Sequence, residues 1–323
     1  MITTFYFDGE LFDDPNLKNQ ALSNSVLLEN WRNFGCLVSN DKSYAEINSA
    51  IKNVAPKYYQ KWVIALSNFK RFNVNGELRK LSDFQSFNDL KGSVEPLGVK
   101  TTIIPYDYLE LYKTHLCNDS GFEIVTPVNI NESIHFIDSE KYSKTDIVPT
   151  DIISEIWKTR FHELAKYSKV ITIIDRFSVK NIMEDYDKGE KTSIESFVEF
   201  LDKTGQKFSV KLYGACDIGG DVTNIKSFKL YLDNVLRKRP CYNRCILNFD
   251  VSLCKNKLFG KTAHDRMLRF DSDHVVQIGN GLDIFRTTKI LDNIFNVKRP
   301  EFTNFTEIHN TLQKNIEPGC ACL

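Results

Sequence analysis

Residues 264 to 271 read HDRMLRFD, with a histidine, an arginine two positions on and an aspartate that closes the run. In a strand, side chains two positions apart share a face, so His264 and Arg266 are expected to project together. A base beside a fixed cation is what a phosphodiester asks of a site: a proton carrier or nucleophile at phosphorus, and positive charge for its oxygens. Asp271 is the expected orienting group for the imidazole, fixing its tautomer and supporting its protonated form. Downstream, QIGNGLDIF places Gly279 where backbone must approach a ligand and Asn280 where an amide can bond an oxygen. Asp175 and Arg176 close the apolar run VITII, a position that commonly faces a cleft at the carboxyl end of a sheet. The competing readings are a structural His264 at a strand end, an Arg266 ion-paired to Asp265 or Asp271, and a salt-bridged strand terminus at Asp175 and Arg176.

The elements around these residues alternate. SEIWKTRFHELAKYS has helical spacing, VITIIDRFSV reads as a buried strand, and TSIESFVEFLDKTG as a helix capped by Thr192 or Ser193 and stopped by Gly205. KFSVKLYGAC, RCILNFDVSL, AHDRMLRFD and HVVQIGN are expected strands, and VTNIKSFKLYLDNVLRK a further helix. This order predicts a sheet flanked by helices, with HDRMLRFD on a strand near a sheet edge or end. Upstream, the chain through about residue 95 reads mainly helical. SNSVLLENWRNF ends at a capping Gly35, YAEINSAIKNVAPKYYQKWVIALSNF is interrupted near Pro56, and GCLVSN between them is a short strand or loop. VKTTIIPYDY and GFEIVTP then read as strands on either side of a helix at LELYKTHL. The polar stretch 138–151 is the expected boundary between a helix-rich α/β domain, 1–150, and a second domain, 151–323.

Over roughly residues 155 to 290 the chain resembles the phospholipase D superfamily, whose signature is HxKxxxxD followed by a Gly-Asn or Gly-Ser pair. His264, Asp271 and Gly279-Asn280 fit that pattern; Arg266 departs from it, since the family's catalytic cation is lysine. HDRMLRFD followed by HVVQIGNGLDIF is similar, more narrowly, to the phospholipase-D-like C-terminal domain of microtubule-interacting-and-trafficking (MIT) domain proteins. The resemblance implies a phospholipase-D-like α/β fold and dimerisation. It also implies a scaffold that in the eukaryotic family binds acidic phospholipid membranes without cleaving them. Superfamily enzymes use two motif copies and this chain has one, so catalysis would require a homodimer. Arginine keeps the charge and forks onto phosphate but is not a compact ammonium donor, which favours binding over catalysis.

Composition narrows the field further. Of 323 residues, Lys plus Arg and Asp plus Glu both number 42, so no global field recruits nucleic acid or anionic lipid and any such contact must be local. The densest basic run is LRKRPCYNR, 236 to 244, read either as a nucleic-acid contact or as a helix end that favours cations. No apolar run reaches membrane-spanning length and the opening MITTFYFDGELFDD is acidic, so a cytoplasmic protein without a transmembrane segment is expected. The cysteines are expected as reduced core thiols. Cys241, Cys245 and Cys254 form too loose a set for zinc, and Asp8, Glu10, Asp107 and Glu123 follow no ligand spacing, so neither metal nor cofactor is expected. The ending Cys320-Ala321-Cys322-Leu323 fits a prenylation pattern.

The sequence thus points to a phosphodiester-recognising site built from His264, Arg266 and Asn280, with Asp271 behind the histidine. Its Lys- and Asn-rich composition has a bacterial look, which favours nucleic acid, in a defence-type setting with a possible protein partner, over a phosphoinositide. Three classes stay open: a non-catalytic or weakly catalytic dimeric binding module, a metal-independent homodimeric nuclease using His264, and a peripheral phospholipid-binding protein.

Overall fold

The computed structural model describes residues 1–112, 118–119, 121–219, 221–259, 266–286 and 290–321. His264 and Asp265 lie outside the described residues. The chain divides into two compact units, Met1–Lys141 and Tyr142–Leu323, each a mixed α/β structure. Among the described residues no helix is long and apolar enough to cross a membrane.

The first unit is built on a sheet of β1 (Thr3–Tyr6), β2 (Gly35–Ser39), β3 (Arg71–Asn73), β4 (Thr101–Ile103), β5 (Asn118–Asp119) and β6 (Phe122–Val125) in the order β3-β2-β1-β4-β6-β5. All neighbours pair in parallel except β5 with β6. The segment through residue 95 is mainly helical, as expected, and also carries three of these strands. They are short, and β1 and β2 are buried along their whole length, so they carry no alternating polar face. Gly35 follows the helix Ala21–Phe34, but as the first residue of β2, in extended backbone rather than a left-handed cap. A β-carbon there would stand 2.7 Å from both the Phe5 ring and the Trp31 Cα, which explains the glycine. The helices Asp41–Ala50 and Pro56–Asn68 are separated by a turn, with Pro56 at the first helical position as its missing N–H allows.

The division after Lys141 falls within the helix Ile134–Lys144, where the sequence suggested an irregular stretch from residue 138. This helix turns Phe136, Ser139 and Ser143 inward, and buried serines leave no apolar period to read. Ser139 Oγ bonds Thr3 Oγ1 on β1 at 2.9 Å.

The second unit contains β7 (Val170–Ile174), β8 (Phe208–Ala215), the two-residue strands β9 (Asp217–Ile218) and β10 (Asp221–Val222), then β11 (Ile246–Cys254), β12 (Arg266–Phe270), β13 (His274–Ile278) and β14 (Phe295–Lys298). β9 and β10 pair separately, and the main sheet runs β11-β8-β7-β12-β13-β14. β7, β8 and β11 are parallel, and β12, β13 and β14 run antiparallel to their neighbours. Hence β12, which carries the end of HDRMLRFD, is an inner strand; Arg266 is at its end but not at a sheet edge. The helix Ser193–Asp202 starts on a capping box, Thr192 Oγ1 accepting from Glu195 N–H and Glu195 returning the bond to Thr192 N–H. Beneath it Trp157, Phe161, Phe197 and Phe200 gather around Phe285, with Phe197 and Phe285 centred 5.2 Å apart. Phe285 ends the turn Gly281–Phe285, so the aromatic core fixes the loop that follows β13.

Candidate functional site

β7 ends where β12 begins, because Met267 is paired with Ile174 and β12 is antiparallel to β7. Arg266 therefore meets Asp175, and β13, running antiparallel to β12, delivers Gly279, Asn280 and the turn Gly281–Phe285 to the same sheet end.

Asp175 is 1% exposed. Its Oδ1 accepts from Phe177 N–H at 3.0 Å and its Oδ2 from Leu282 N–H at 2.9 Å, so one carboxylate ties the turn after β7 to the turn after β13. Burial raises its pKa, while Arg266 and these backbone donors act in the opposite direction. Arg266 Nε stands 3.5 Å from Asp175 Oδ1 and its Nη1 3.6 Å from Asp283 Oδ2, with the guanidinium 5.0 Å from the centre of the Phe177 ring. Both carboxylate distances exceed ordinary hydrogen-bond length, so the pairs are coulombic and leave the guanidinium's donors uncommitted to those oxygens.

Asp283 receives 2.6 Å from Asn181 Nδ2 on its Oδ2, while its buried Oδ1 has no partner among the described residues. Its pKa is raised to about 6, chiefly by burial and then by Asp175, against the pull of Arg266 and Arg286. Arg286 pairs with the fully buried Asp185 through Nε at 2.8 Å and Nη2 at 2.6 Å. Arg266, Asn280, Asp283, Arg286 and Asn293 line a cavity of about 210 Å³, closed on its apolar side by Ile284, Ile290 and Leu291. Asn293 is 5% exposed; its Oδ1 accepts from Asn280 N–H at 3.0 Å, and its Nδ2 has no partner among the described residues. A recessed polar cavity lined by a guanidinium whose two carboxylate partners among the described residues stand beyond ordinary hydrogen-bond length is a place for an oxygen-rich ligand.

The residues expected from the sequence sort unevenly. Arg266, Asp175, Gly279 and Asn280 come together at one sheet end. Asp271 is not brought to that end: it lies at the opposite end of β12, about 16 Å of strand from Arg266. Its exposed carboxylate accepts from Lys169 N–H at 2.9 Å, where β7 begins. Arg176 packs its guanidinium over Phe177 and is not among the residues lining the cavity. The three arginines of the basic run are ion-paired to acids outside it: Arg237 with Asp233, Arg239 with Glu195 and Arg244 with Asp202. The residues the sequence did not single out are Asp283, Arg286 and Asn293. Asp283 sat in plain view within GLDIF, whereas nothing local marks Asn293.

Elsewhere, Cys245 Sγ donates to Val198 O and Cys254 Sγ to Leu312 O, and burial raises both thiols to about 12. The described cysteines are buried and unbridged, and no cluster of metal-ligating side chains occurs among the described residues. Cys320 is buried and its carbonyl accepts from Leu253 N–H, while residues 322–323 lie outside the described residues. In the first unit Asp8 and Glu10 follow β1, but Asp8 accepts from Glu10 and Leu81 N–H, and Glu10 from Ser82 and Tyr108. Glu123 is spent on β4 and a helix start, accepting from Thr101, Ser133 and Ile134 N–H.

No family model matches the chain, and no curated protein matches it either.

Proposed function

We propose that the C-terminal unit is a phospholipase-D-like module that recognises a phosphodiester, in nucleic acid, at the Arg266 cavity, and that it binds this group without cleaving it. The observation that carries this reading is the Arg266 guanidinium, recessed in a polar cavity with both carboxylate partners beyond hydrogen-bond range. Arginine can fork onto two phosphate oxygens, and Asn280 and Asn293 add polar residues to the same cavity wall. Asp271 stands at the other end of β12 from Arg266, its carboxylate accepting from Lys169 N–H, which favours a binding role for the Arg266 end over a triad-type catalyst. The buried Cys320 thiol weighs against the lipid-anchored alternative.

The test is binding and cleavage of labelled single- and double-stranded DNA and RNA in EDTA, comparing wild type, His264→Ala and Arg266→Ala. Binding without cleavage, weakened by Arg266→Ala, is the expected result. Cleavage abolished by His264→Ala would replace this reading with a nuclease, for which two copies of the chain must pair to supply two histidines.

A further inference from the structure

Arg266 is held between two acids, and they are not equivalent. Asp175 spends both oxygens on backbone N–H groups and is part of the scaffold. Among the described residues Asp283 has one hydrogen bond, from Asn181, and keeps a buried oxygen without a partner, and it lines the cavity itself. Its Oδ2 stands where an anionic ligand's oxygen would stand, 3.6 Å from Arg266 Nη1.

Resting on the phosphodiester reading above, we infer that the Asp283 carboxylate is a resident counter-ion of the Arg266 site, and that a phosphodiester takes its place as Asp283 takes up a proton. The charge balance requires some such exchange. The carboxylates paired with the cavity's two arginines are Asp175, Asp185, Glu184 and Asp283, against Arg266, Arg286 and Lys180, the last paired with Glu184. An added anion meets a region already negative by one, and a low-dielectric pocket penalises uncompensated charge. Asp283 combines cavity contact, an oxygen without a partner among the described residues and a pKa brought to about 6, so its neutralisation falls near physiological pH. Once protonated it also becomes a donor, able to bond a phosphate oxygen rather than repel it.

The probe is a short single-stranded thymidine oligomer, whose phosphodiesters do not titrate in this range. Binding to the full chain is measured between about pH 5.5 and pH 8, for wild type and Asp283→Asn. If only the protonated form is competent, wild-type affinity falls by roughly 10- to 100-fold over that range. Asp283→Asn removes most of that fall and binds near pH 8 about as tightly as wild type does in acid. Calorimetry of the wild type in buffers of different ionisation enthalpy counts the proton taken up, close to one per site, and decides the matter even if the variant folds poorly. A slope that persists in Asp283→Asn, as a histidine elsewhere would give, or binding without proton uptake, overturns the inference and leaves the phosphodiester reading standing. No binding at any pH overturns that reading, and the exchange with it.

Discussion

A β-carbon at Gly281 would lie 2.5 Å from Arg266 Cδ, and closer still to Asp175 Oδ2. The glycine's φ of +57° adds a backbone requirement to the steric one. The turn after β13 is therefore pressed onto the Asp175–Arg266 pair by the absence of a side chain, which is what lets Leu282 N–H reach Asp175. Gly281→Ala is expected to destabilise the C-terminal unit by more than about 2 kcal/mol and to abolish ligand binding. Thermal unfolding and oligomer binding of the same variant check it; wild-type stability would mean the turn is not fixed in this way.

Arg286 and Asp185 make a second linkage of the same kind, from the turn to the helix Ser178–Asp187. Asp185 is fully buried, so removing the guanidinium leaves a charge with nothing to offset its desolvation. Arg286→Met is expected to cost on the order of 3–5 kcal/mol. The double variant Arg286→Gln with Asp185→Asn is expected to recover most of that cost, since neither charge then remains. Urea unfolding of the three proteins measures both; a double variant no better than the single one would show that packing, not the charge, was lost.

Periodicity exposed the second unit's strands well, because runs such as VITII and HVVQI are long, apolar and bounded by turn residues. In the first unit it pointed to β2, β4 and β6 through GCLVSN, VKTTIIPYDY and GFEIVTP, but left β1 and β3, set among helices, unmarked. The candidate site was half legible for a similar reason. Arg266, Asp175 and Asn280 announced themselves as polar residues at strand ends. Asp271 fitted a spacing rule, yet spacing along a strand measures separation as well as register, and seven positions carry a residue to the other end of a sheet. Asn293 reaches the cavity only through tertiary pairing, its backbone bonded to Ile147, and no local pattern could have indicated it.

The displaced Asp271 makes a contrast with Arg266 that is easy to measure. Asp271→Ala removes one acceptor from an exposed strand start and is expected to cost about 1 kcal/mol or less, with oligomer affinity changed by less than about twofold. Arg266→Ala is expected to weaken binding by roughly tenfold or more, because it deletes the cavity's guanidinium and leaves Asp175 and Asp283 facing each other across it. Fluorescence anisotropy with one labelled oligomer compares the two variants directly. Equal losses would return Asp271 to the site and contradict its position at the far end of β12.

The first unit carries its own pH signature at Asp8, buried after β1 with its pKa raised to about 7 by burial and by Glu10 and Glu46, against two backbone N–H donors. An unfolded aspartate titrates near 3.8, so the folded chain holds this proton more tightly. The stability it contributes is fully present below the unfolded pKa and is lost as pH rises through the folded one. On the order of 2–4 kcal/mol should therefore disappear between about pH 4 and pH 7 from this group alone. Other acids add slopes of their own, so the quantity to measure is the difference between wild type and Asp8→Asn. Asparagine keeps an oxygen for one of the two N–H groups but not a titratable proton, so the variant starts about 1 kcal/mol lower in acid and shows the shallower slope. Urea unfolding in a Trp157→Phe background, followed by Trp31 and Trp62 fluorescence, reports on this unit within the full chain. Parallel pH profiles for the two proteins would show that Asp8 stays ionised in the fold, held by Leu81 and Glu10 N–H more strongly than burial opposes it.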